Sequence, residues 1–159
     1  MSTLALPLLA LLAAASPGPG ALAADGAATT VRLDALVKRG PTGLELSAAA
    51  LRLAGQRVRL VGFMAHLEEG LAGAFYLTTS PIDCDEGGAG TGDLPPGAVL
   101  VLSRAAAGRA VPFLPGPLEV TGQLQVGPAL DEAGRVSSLR LVLDGPARPG
   151  RRTDGAAAP

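Results

Sequence analysis

"PLEVTGQLQVG", residues 117–127, decides the fold. Leu118, Val120, Gly122, Leu124 and Val126 share one parity; Glu119, Thr121, Gln123 and Gln125 share the other. A period of two with apolar and polar positions alternating is a strand with one face buried and one wet. Working outward, "RVRLVGFMAHL" (57–67) repeats the pattern, with Val58, Leu60, Gly62 and Met64 against Arg57, Arg59, Val61 and Phe63. Its arginines give way to Val61 and Phe63, so both faces become covered further along. A glycine in mid-strand, Gly62, marks a bulge or sharp coil. On the same parity His66 falls on the inward side, as a half-buried structural histidine at the strand end.

Three more strands complete the set. "GAFYLTT" (73–79) is β-branched and aromatic, and forms a hairpin with 57–67. "AVLVLS" (98–103), bounded by "PPG", is apolar on both parities and so buried on both faces. "VSSLRLVL" (136–143) follows the turn-rich "GPALDEAG", which suits an antiparallel connection. Ahead of the strands, "LSAAALRLAG" (46–55) predicts a short helix with Ser47 as N-cap and Gly55 as the stop. "VRLDALVKRG" (31–40) fits a strand or a turn of helix.

Five such strands must bury their apolar faces, and closure removes exposed edges. The expectation is a mainly β domain: a small five-stranded, partly open barrel of the oligonucleotide/oligosaccharide-binding (OB) kind, with a short N-terminal helix. The long link 104–116 sits where that fold has its crossing between strands three and four. A small sandwich is the alternative.

The chain ends supply the compartment. "LALPLLALLAAA" (4–15) is apolar but shorter than the roughly 20 residues a membrane-spanning helix needs. With "SPGPG" and then "ALA" (21–23) it reads as a secretory leader cut after Ala23. No Lys or Arg precedes the run, and no Cys follows it to carry a lipid. Residues 24–30 read as a linker, 31–144 as the folded domain and 145–159 as a disordered tail. The product is periplasmic or secreted, with no membrane span once the leader is removed. The net charge of −1 and 3% aromatic content leave neither a basic footprint nor stacking platforms for nucleic acid.

"GQRVRLVGFM", a Cys-bearing loop, "PPGAVLVL" and "PLEVTGQLQVG" together resemble an uncharacterised family of exported bacterial OB-like proteins. The likeness spans roughly 45–127 and rests on Gly55, Val58, Gly62, Phe63, Met64, Cys84, Pro95, Pro96, Val120, Gly122 and Leu124. It implies an exported OB-like domain associated with metal handling or a transport system; it does not imply an enzyme activity. Where that family carries a His soon after the loop cysteine, this chain has Asp85 and Glu86.

The candidate chemistry gathers around "TSPIDCDEGG" (79–88), which holds the single cysteine. Cys84 with Asp83, Asp85 and His66 makes a mixed donor set for zinc or copper; otherwise no cofactor is expected. Hairpin geometry, however, places His66 about one strand length, roughly 17–20 Å, from Cys84. Neighbouring carboxylates raise a thiol's pKa, which disfavours a Cys84 nucleophile. An unpaired thiol after export also allows a Cys84-linked dimer. In "VPFLPGP" (111–117), Phe113 and Leu114 either pack under the barrel or face a partner. The leading expectation is therefore a non-enzymatic binding module for a partner protein or small ligand of the cell envelope. A metal-handling accessory comes second and an enzyme third.

Overall fold

Alternation in the sequence becomes alternation in burial. Arg57–Met64 (β4) buries Val58, Leu60, Gly62 and Met64 and exposes Arg57, Arg59 and Val61. Pro117–Leu130 (β9) buries Leu118, Val120, Gly122 and Leu124, and Val136–Leu143 (β10) buries Leu139, Leu141 and Leu143. Ala74–Thr78 (β6) is buried at every position, and Val99–Leu102 (β8) at its first three. In this computed structural model, the described residues are 27–41, 43–84, 94–131 and 134–150.

The molecule is mainly β, with one helix and a large mixed sheet. To the strands above the chain adds Thr29–Arg32 (β1), Val37–Gly40 (β2), Gly43–Leu46 (β3), His66–Leu67 (β5), Asp83–Cys84 (β7) and Arg148–Pro149 (β11). The main sheet runs β1-β4-β6-β8-β10-β9-β11, and β4 also pairs with β9. Pairing can thus be followed from β4 through β6, β8, β10 and β9 back to β4. β4 lies antiparallel to β9 (Leu60 opposite Val120) and to β6 (Met64 opposite Leu77), while β8 and β10 run parallel (Val101 opposite Leu141). The sheet therefore has seven strands rather than five. β1 joins β4 in parallel, Val31 beside Leu60, starting at Thr29 inside the stretch read as linker. β11 joins β9 beyond Asp144, and Gly150 N donates to Pro117 O at 2.7 Å, so pairing runs on into the segment read as a disordered tail. Both additions are backbone-driven: their side chains are largely exposed, and hydrogen bonding to a neighbouring edge is what they gain.

Residues 31–40 turn out to be strand, turn and strand in succession. A 3-10 turn at Leu33–Leu36 drives Leu33 and Leu36 into the core, and β2 and β3 then form a separate hairpin. The helix Ala48–Leu53 (α1) begins as its cap predicts: Ser47 Oγ accepts from Ala50 N at 3.0 Å and donates to Ala35 O at 2.6 Å. Gly55 follows it with φ +76°, the left-handed conformation that glycine adopts at low cost.

One core lies against the main sheet. It contains Leu36, Val58, Leu60, Phe75, Leu77, Val101, Leu118, Val120, Leu124 and Leu141, each almost wholly buried. Ala65, Ala74, Tyr76 and Leu100 form a second cluster on the outer side of β6 and β8, with Leu67, Leu71 and Leu94 packed on it. Two glycines are required by close approach. A Cβ on Gly62 would stand 2.6 Å from Thr78 O, and one on Gly122 would stand 2.1 Å from Val142 O. Real side chains do not fit at such separations, so these two positions let neighbouring backbones close on β4 and β9.

Candidate functional site

The β4–β6 ladder stops early, and that decides the site. After Phe63–Met64 pairs with Leu77–Thr78, Ala65 N still donates to Tyr76 O at 2.9 Å, but His66 N turns to Ile82 O at 2.9 Å. Thr78, the buried polar side chain of this region, holds the return. Its hydroxyl lies 3.0 Å from Phe63 O and 2.8 Å from Ser80 O, and shares its proton between them. The chain therefore folds back after Ser80, and Asp83–Cys84 runs parallel to His66–Leu67.

This corrects the strand-length separation expected for His66 and Cys84. His66 is in register with Asp83, and Leu67 with Cys84. His66 Nδ1 lies 3.2 Å from Asp83 Oδ1. Inward parity also fails for His66, because Met64 and Ala65 are both buried and the alternation breaks there. The imidazole is 52% exposed and lies against Asp83 and Phe113 rather than in the core.

Phe113 joins the pair from the other side. Gly73 N donates to Arg109 O at 2.7 Å, and Ala72 pairs with Ala110, so the 104–116 link is tied to the loop before β6. The Phe113 ring then sits 4.5 Å, centroid to centroid, from the His66 ring at a 45° tilt. Phe113 is 43% exposed and Leu114 38%. Phe113 is thus half packed and half presented, between the two alternatives the sequence allows.

The two rings line a recess of about 180 Å³ together with Met64, Leu71, Phe75 and Val111, and His66 is its one ionisable lining group. Met64 and the recess itself are not picked out by sequence reasoning. The only hint is that Met64 and His66 stand two residues apart. A carboxylate only accepts, so Nδ1 of His66 donates to Asp83 Oδ1, and in the neutral imidazole that tautomer leaves the lone pair on Nε2.

Of the four sequence-selected metal ligands, His66 and Asp83 are in contact. Cys84 is placed beside them by its backbone pairing, and Asp85 lies outside the described residues, as do residues 85–93 of the acidic, glycine-rich stretch. Among the described residues, no three His, Cys, Asp or Glu side chains form a metal-holding group. Larger clefts lie elsewhere. One of about 680 Å³ contains the Arg57–Asp144 ion pair at 2.6 Å, and one of about 530 Å³ lies between Tyr76, Leu44, Pro95 and Val136. The first already spends its clearest charges on each other. No helix among the described residues is long and apolar enough to cross a membrane.

No family model matches the chain, and no curated protein matches it. Among solved structures, the chain is similar to a crystal structure of a DUF3299 family protein from Pseudomonas aeruginosa PAO1, with 20% identity and a TM-score of 0.46, over 79% of this chain and 98% of that one.

Proposed function

We propose that this chain is an exported, non-enzymatic OB-like domain that binds a small ligand, or a single side chain of a partner protein, in the recess beneath His66 and Phe113. Support for the OB-like reading is the pairing circuit β4-β6-β8-β10-β9-β4 with β8 and β10 parallel, closed over one core. In that reading β4, β6, β8, β9 and β10 are the five barrel strands, and β1 and β11 are edge additions. The apolar run 4–15 and "ALA" at 21–23 support export to the periplasm or beyond, and the likeness to exported OB-like proteins in the GFM strand and Cys/Pro loop agrees.

The observation that carries the binding reading is the arrangement of Phe113: a large apolar ring left 43% exposed, in ring contact with His66, both lining one recess. At about 180 Å³ the recess is smaller than the roughly 300 Å³ at which drug-sized sites begin. Its occupant is accordingly an ion, a molecule of a few heavy atoms or one inserted side chain. A fragment screen by amide NMR tests this. Expected are shift changes confined to 64–75 and 110–113; changes elsewhere only would sink it.

Metal handling through Cys84, Asp83, Asp85 and His66 is the second reading, favoured by the β5–β7 pairing that puts Asp83 on His66 one residue from Cys84. Native mass spectrometry of protein recovered from a periplasm, without reductant or chelator, addresses both. A mass beginning at Ala24 supports export, added zinc or copper lost in Cys84→Ser supports the second reading, and a dimer that separates on reduction makes Cys84 a crosslink.

A further inference from the structure

The β8–β10 ladder is also cut short, and that leaves a strand edge open. β10 pairs with β9 along Val136–Leu143, but with β8 only over 140–142. Carried back in the same register, β8 would set Pro96 opposite Val136. Proline has no N–H to give a ladder, and Ala98 N turns back to Pro95 O at 3.0 Å. Residues 95–98 therefore make a turn, and the cleft of about 530 Å³ lies between that turn, β10 and the β2–β3 hairpin. Val136 and Ser138 line it together with Ser137 and Leu139. Successive strand residues point to opposite faces, so a cleft that meets all four runs along the edge of β10. Among the described residues no ladder occupies that edge. Such an edge carries unpaired N–H and C=O groups and is a template for another strand.

Tyr76 is a second, independent feature of the same cleft. Leu100 stands opposite both Tyr76 and Arg140, which puts Tyr76 two strands, roughly 10 Å, from β10. Tyr76 is 6% exposed and lines the cleft. Its hydroxyl makes no hydrogen bond among the described residues, yet no buried side-chain polar atom there lacks a partner. The hydroxyl is therefore not sealed in, and the cleft is where it opens. The charged lining residues are each held by a neighbour: Glu45 by Lys38 at 3.3 Å and Arg135 by Asp131 at 2.7 Å. Apolar side chains remain exposed beside them, Leu44 at 45% and Val136 at 69%.

We propose that this cleft binds a short, uncharged, extended peptide of a partner protein, added as a strand to β10 along 136–139, with the Tyr76 hydroxyl donating to one of its carbonyl oxygens. A free strand edge, a hydroxyl donor and apolar rims suit main-chain recognition, and a charged segment would find no unspent counter-charge. The inference is independent of the recess at His66 and Phe113.

The test is titration of the purified chain with a set of short peptides, blocked at both ends and built of uncharged residues, read by amide NMR. Expected are saturable shifts at Tyr76, 94–98 and 135–139, slowed amide exchange at 136–139, and no shifts at 110–113. The tightest-binding peptide is then remade with N-methylated amides along its pairing edge, which removes strand hydrogen bonds and keeps the side chains. Its binding should weaken at least about tenfold. Tyr76→Phe, which removes only the hydroxyl, should weaken binding by about two- to tenfold, the worth of one hydrogen bond. Val136→Glu puts a charge on an exposed rim residue, so the fold should hold while binding weakens. No saturable shift at 135–139 with any peptide of the set, equal binding of the N-methylated peptide, or wild-type binding in both variants would each overturn the proposal.

Discussion

His66 and Asp83, seventeen positions apart, meet at 3.2 Å because the hairpin between them is cut short. Had β4 and β6 kept their ladder past Ala65, the two residues would lie at opposite ends of it. Instead, one buried hydroxyl, that of Thr78, bridges the last ladder carbonyl of Phe63 and the turn carbonyl of Ser80. The site is thus a consequence of where a ladder ends.

Thr78→Val tests that dependence. It keeps the shape and removes the proton that the Phe63 and Ser80 carbonyls share, so stability should fall by about 1 kcal/mol. The return at 79–82 should loosen with it. NMR of the His66 ring should show the imidazole parting from Asp83 before the core melts, and an unchanged His66 spectrum would remove Thr78 from the account.

Gly122→Ala should be far more damaging than its size suggests. Its Cβ would lie 2.1 Å from a backbone oxygen of β10, and neither strand can move without breaking the β9–β10 ladder at Leu143–Gly122. Overpacking costs about 1–3 kcal/mol where side chains can yield. Here the obstacle is main chain, and a loss of about 3 kcal/mol or more is expected, seen as a melting temperature lower by over about 10 °C. A drop of only a degree or two would show that the two strands are less closely joined.

Tyr76 gives stability an alkaline dependence. It is 6% exposed, and burial pushes its phenol above its ordinary value of about 10, with the charge of Arg135 acting the other way and that of Asp131 adding to the rise. The neutral form is the one folding favours. That contribution is fully present below the unfolded value near 10 and is lost as pH rises through the folded one. Denaturant unfolding should therefore weaken above about pH 10, and Tyr76→Phe should flatten that part of the fall. Because the chain has a single tyrosine, tyrosinate absorbance reads the group directly; a midpoint at the unperturbed value would contradict the burial argument.

What the sequence makes legible is whatever burial writes into side-chain pattern. β4, β9 and β10 follow from period two, β8 from apolar residues on both parities, and α1 from Ser47 and Gly55. β1 and β11 escape because Thr29, Thr30 and Arg148 bury little, and pairing to an edge needs only backbone. The His66 site is half legible for a related reason. Residue types single out His66, Asp83, Cys84 and Phe113, but the end of the β4–β6 ladder is set by tertiary hydrogen bonds of Ala65, His66 and Thr78. No alternation encodes that, and a hairpin extrapolated from pattern carries His66 to the wrong end.

Phe113→Ala separates folding from binding. The ring is 43% exposed, and its specific partner is the His66 imidazole, so the loss of stability should be no more than about 1 kcal/mol, the scale of one aromatic pair. If the ring closes the recess, its removal should instead appear in function: fragment-induced shifts at 64–75 should weaken severalfold while the melting temperature scarcely moves. Leu114→Ala, next along and 38% exposed but without the ring contact, is the control. Equal effects from the two substitutions would mean a general apolar surface, and a large stability loss from Phe113→Ala alone would make the ring a structural prop. Only the combination of intact fold and weakened recess fits Phe113 as a binding residue.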